Sequence, residues 1–125
     1  MTMKRGYLWL AVALAATPEA SWAGEADVVD VEVVAASSGK FDFHVAVRHE
    51  DEGWDHYANV WQVIGPDGSV LGERVLLHPH VNEQPFTRSL MGVSISDDID
   101  SVSVRAGDSV HEFGGAEKIV RLPGR

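Results

Sequence analysis

Lys40-Phe41-Asp42-Phe43-His44-Val45-Ala46-Val47-Arg48 decides how the chain is read. Phe41, Phe43, Val45 and Val47 fall on alternate positions, with Asp42, His44, Ala46 and Arg48 between them. Successive side chains of an extended strand point to opposite faces, so this period of two describes a strand with one buried and one wetted face. The pattern continues on both sides. Val29, Val31 and Val33 alternate with Asp30 and Glu32, and Ser37-Ser38-Gly39 supplies a turn between the two runs. Further strands are expected over Tyr57–Ile64, Ser69–Leu77 and Phe86–Ile95, around Val102 and Val104, and over Ile119–Leu122. Gly65-Pro66-Asp67-Gly68 is the turn between the third and fourth. In the fifth, Leu90 and Val93 can share a face only with an extra residue between them, which predicts a bulge at Met91-Gly92. No helical period competes.

These runs predict an all-β, seven-stranded, immunoglobulin- or fibronectin-like antiparallel sandwich, with a small barrel as the alternative. Trp61 lies on the inward face of the third strand and is expected in the core. At 125 residues the chain suits one domain. The first residues stand apart. Lys4 and Arg5, the apolar run Tyr7–Ala16 and Ser21-Trp22-Ala23 have the three regions of a secretory signal peptide. The expected organisation is a leader over 1–23, cleaved after Ala23, and a sandwich domain over 24–125.

Composition narrows the function classes. A net charge of -9 repels a phosphate backbone, which argues against nucleic acid as a partner. Without cysteine there is no disulfide, thiolate ligand, thiol nucleophile or lipid-modified cysteine in this sequence. No stretch after the leader is apolar enough to span a membrane, so the expected location is periplasmic or secreted.

The strand order sorts the loops by end. Those after the first, third and fifth strands are ordinary turns. Those after the second, fourth and sixth contain His49–Tyr57, His78–Phe86 and Asp108–Gly115, and with them every histidine but His44. Loops held at one end of rigid sheets are where sandwiches commonly carry function. The metal reading takes His56, His78, His80 and His111 as ligands for zinc or copper, with Asp55, Glu83, Arg88, Asp108 and Glu112 as supports or alternative ligands. The competing reading makes the cluster a structural hydrogen-bond network, with Arg88 pairing Asp55 or Glu83, on a periplasmic protein-interaction module that uses Trp54, Tyr57 and Phe113. Asp108, Ser109 and His111 are too close along one segment to form a catalytic triad, and a non-enzymatic protein is expected.

Asp55 to Ala58, the Pro66-Asp67-Gly68 turn, His78-Pro79-His80 with Glu83 to Ser89, and Asp108 to His111 together resemble a family of small secreted proteobacterial β-sandwich proteins of unassigned function. The resemblance covers most of the chain after the leader. It implies export and a sandwich, and brings no activity with it.

Overall fold

The structure, a computed structural model, describes residues 24–125, so the expected leader lies outside the described residues. Eight strands are present: β1 (Asp27–Ser37), β2 (Lys40–Arg48), β3 (Ala58–Ile64), β4 (Val70–Val75), β5 (Phe86–Ser94), β6 (Ser101–Asp108), β7 (Glu112–Phe113) and β8 (Lys118–Arg121). They form two antiparallel sheets. One has the order β1-β2-β5; the other has the order β4-β3-β6-β7, with β8 also paired to β6. The expected count of seven is corrected to eight by β7. That strand is only two residues long, too short to leave an alternation in the sequence, and it exists because the chain folds straight back on β6.

Both sheets turn their apolar alternation inward. Phe43, Val45 and Val47 of β2 face Trp61 and Val63 of β3 and Val104 of β6 across a core in which each is fully buried. Trp61 is in the core as its strand parity requires, and its indole Nε1 has no hydrogen-bond partner among the described residues. In β1 a register shift between Val28 and Asp30 makes Val28, rather than Val29, the buried residue. The bulge in β5 lies where the alternation breaks. Phe43 pairs with Leu90 but Phe41 pairs with Val93, and Gly92 adopts the φ of 68° that this irregularity needs.

The outer face of the second sheet is pinned by a polar ladder. Gln62 on β3 donates to Glu73 on β4 at 2.6 Å and accepts two bonds from Arg105 on β6 at 3.0 and 2.8 Å. Arg105 in turn lies 4.2 Å over the Phe113 ring, so this aromatic covers a strand and not the loop surface. Among the described residues no helix is long and apolar enough to cross a membrane.

Candidate metal centre

The inward faces of β2 and β6 run beyond the apolar core. After Val45 and Val47, the same parity brings His49 and Asp51 inside, at 2% and 6% exposure past the end of the strand. On β6, Val102, Val104 and Ala106 are followed at the same parity by Asp108, 2% exposed. The last layer of the sandwich is therefore polar. His56 joins it from the loop between β2 and β3, which is closed by bonds from Glu52 N–H to His56 O and from His56 N–H to Gly53 O.

Each of the two imidazoles is oriented by a carboxylate. His49 Nδ1–H donates to Asp51 Oδ1 at 2.6 Å, and His56 Nδ1–H donates to Glu52 Oε1 at 3.0 Å. This tautomer leaves both Nε2 atoms as lone-pair donors. They face each other at 3.2 Å, and the carbonyl oxygen of Gly24 stands 3.2 Å from both. Asp108 completes the group, with Oδ1 3.2 Å from His56 Nε2 and Oδ2 3.8 Å from His49 Nε2. Atoms bound to one ion at about 2.1 Å stand roughly 3.0–3.4 Å apart; the 3.2 Å separations fall in that range, and the 3.8 Å one from Asp108 Oδ2 lies beyond it. His49, His56 and Asp108 thus form a cluster able to hold a divalent ion.

The Asp108 carboxylate shows why a cation fits. Its Oδ1 is held by the backbone N–H groups of Val110 and His111, whereas Oδ2 is buried with no hydrogen-bond partner among the described residues. A buried, unpaired carboxylate oxygen among three further lone-pair donors is costly, and a cation removes that cost. Burial works to raise the Asp108 pKa, but the two backbone N–H bonds and the neighbouring His111 and His49 hold it below the usual carboxylate range. Burial opposes a charge on His56, yet Glu52, the Gly24 carbonyl and Asp108 together raise its pKa. The centre favours positive charge.

His111 lies at the open edge. Its ring is 5.0 Å from that of His56, its Nδ1 is 3.1 Å from Asp108 Oδ1, and its side chain is 38% exposed. It is presented by the tight turn from β6 to β7, where Glu112 takes a φ of 58°. His78 and His80 stand on the loop between β4 and β5, apart from the cluster but against one another, with ring centroids 4.8 Å apart. His80 is buried against the Phe86 ring, and its backbone N–H donates to Asp51 Oδ2 at 2.7 Å. It therefore braces the carboxylate that orients His49. Arg88 donates to His80 Nε2 at 2.8 Å and forms no carboxylate pair among the described residues. Asp55, Glu83 and Glu112 likewise enter no ion pair among them. Sequence reasoning missed His49 as a candidate ligand. The available signal was the β2 alternation itself, which continues through positions 49 and 51.

With Arg88 donating to Nε2, neutral His80 carries its proton on Nδ1. Burial and the nearby Arg88 and His78 charges lower its pKa. The unfolded chain then binds a proton that the fold resists, so this contribution is present above about pH 6.5 and is lost as pH falls through that value toward the folded pKa. Urea unfolding across this window is expected to show the parent losing stability relative to His80→Gln as acid is added. A constant difference between the two would contradict the assignment.

No protein-family model matches the chain. A protein of the archaeon Halomicrobium mukohataei, described as a lipoprotein, is 41% identical over 96 residues, which is 77% of this chain. The chain spans about half of that relative, 47% of its length. Among solved structures, a superoxide reductase (neelaredoxin) from Archaeoglobus fulgidus, the E12V variant in the reduced form, matches with a TM-score of 0.51 and 10% identity. The match covers 85% of this chain and 94% of that one, so the two share a fold.

Two expectations are corrected by these findings. The resemblance to a proteobacterial family does not stand: the relative found is archaeal, and no family model carries the quoted motifs. The expectation of a non-enzymatic protein does not stand either. The solved structure sharing the fold is an enzyme, and this chain carries a His/Asp cluster able to hold a metal. That expectation rested on the absence of a nucleophile, and metal chemistry needs none.

Proposed function

We propose that the domain is an exported, metal-dependent oxidoreductase that performs one-electron chemistry on a small oxygen species of the superoxide class. The observation that carries this reading is the grouping of His49, His56 and Asp108, whose ligand atoms lie within 4.8 Å of one another. Two imidazoles and a carboxylate with positions left open suit ferrous iron, and nitrogen-rich ligation also suits copper; zinc would bind but exchanges no electron. The shared fold with a superoxide reductase supports the reaction class, and the lipoprotein relative supports a location outside the cytoplasm.

When bound, the metal supplies the electron exchange: superoxide takes up one electron from an external donor and two protons to give hydrogen peroxide. The chain's own residues hold and orient. Asp51 and Glu52 fix the two imidazole tautomers, and His111, at the solvent edge, is placed as a further ligand or as a proton carrier. Trp54, 67% exposed and edge-on to Tyr57 in the loop that carries His56, offers an electron-donor protein an apolar contact.

The test is untagged, metal-free protein loaded separately with iron(II), copper(II) and zinc(II). One equivalent of each ion is expected to bind, with accelerated superoxide loss for iron or copper and none for zinc. Failure of every ion to bind more tightly than to a His49→Ala/His56→Ala variant would overturn the metal site. Binding of iron and copper without any effect on superoxide would overturn the reaction.

A further inference from the structure

Gly24 is the residue that the expected cleavage would leave at the new amino terminus, and the fold brings this residue into the metal cluster. Its carbonyl oxygen makes an equilateral triangle of 3.2 Å sides with the Nε2 atoms of His49 and His56, the spacing of three ligands on one face of an ion. The chain is strapped in this position. Ala26 is fully buried, Val28 N–H donates to Ala116 O at 2.9 Å, and Ala116 N–H donates to Asp27 Oδ1 at 2.7 Å. Glycine here also leaves room for the His111 ring. A Cβ there would stand 2.7 and 2.8 Å from Cε1 and Nε2 of His111, so any side chain would push that ring from the edge of the centre.

Resting on the metal reading above, we propose that export cleavage completes the metal centre: the freed α-amino nitrogen of Gly24 and its carbonyl oxygen bind the ion together. An ion bridging these two atoms closes a five-membered ring through Cα and the carbonyl carbon. In the precursor the same nitrogen is an amide, whose lone pair is delocalised into the peptide bond and is a poor ligand. Hydrolysis of the Ala23–Gly24 bond consumes one water and leaves a carboxylate on Ala23 and an amine on Gly24. The amine binds through its lone pair, with any proton it carries released to solvent. The centre then has two imidazoles, one carboxylate and the glycine chelate, and reaches full affinity only after the leader is removed.

Copper(II) is the probe. Protein beginning at a free Gly24 is compared with the same protein acetylated at that nitrogen, with affinities measured by chelator competition and with both metal-free forms checked for equal thermal unfolding. Acetylation is expected to weaken copper binding at least tenfold. In protein grown with ¹⁵N-glycine, the electron paramagnetic resonance of the free-amine form is expected to show ¹⁵N coupling that the acetylated form lacks. Equal affinities and no ¹⁵N coupling would overturn the chelate, and so would mass spectrometry of the exported protein showing a first residue other than Gly24. A His49→Ala variant separates the two inferences. If it binds copper as tightly as the parent, the metal reading itself fails; if it binds more weakly while acetylation has no effect, only the chelate does.

Discussion

Asp108→Asn is expected to abolish metal stabilisation. It removes the ligand and, with the carboxylate charge, the attraction to His111 and His49 that helps keep this group ionised in the fold. In the parent, Oδ2 is a buried acceptor without a donor, 3.8 Å from a second acceptor at His49 Nε2. An asparagine keeps the oxygen that receives the Val110 and His111 N–H bonds, and puts an amide N–H where the unpaired oxygen stood. The backbone bonds are kept and the ligand is lost. At a metal concentration about a thousandfold above Kd, binding adds about 4 kcal/mol to stability. In a domain of this size that moves Tm upward on the order of 15 °C. Differential scanning calorimetry with and without copper(II) should show this rise in the parent and none in Asp108→Asn. An equal rise in both would mean that the ion binds elsewhere.

Trp61→Ala is expected to cost about 3–5 kcal/mol, a large part of the roughly 5–15 kcal/mol that stabilises a domain of this kind. The indole is wholly enclosed at the centre of both sheets, where the short strands around it have little freedom to collapse into the void. Trp61→Phe should cost much less than this. It keeps an aromatic ring in place and removes the Nε1–H donor, which has no partner in the fold. Urea titration gives both values, and equal losses for the two substitutions would show that a phenyl ring does not fill the space the indole leaves.

Much of this architecture was legible along the chain. Alternation identified β2, put Trp61 inside, and located the irregularity at Met91-Gly92, because a strand's two faces are set by side-chain parity alone. Strand reversal also selected the correct end of the sandwich for the polar cluster. Parity extended three residues past β2 would have named His49 and Asp51, as it would Asp108 past Ala106, but the run of charged residues after Arg48 reads as a solvated loop. The eighth strand was not legible, since a pair of residues carries no period.

What the sequence by itself determined is the class of fold, the inward faces of the strands and the end of the molecule where histidines gather. Each follows from local periodicity and the reversal of successive strands. Only the tertiary structure decided which of those histidines converge. His49 and His56 meet at 3.2 Å because the loop between β2 and β3 closes on itself and Asp51 and Glu52 orient both rings, and Asp108 reaches them from β6, whereas His80 is held on Phe86 and Arg88. Gly24 reaches the cluster through a strap to Ala116, more than ninety positions along the chain. Such distances are set by the packing of the two sheets and by loop hydrogen bonds between segments far apart in sequence, and neither has a period to be read.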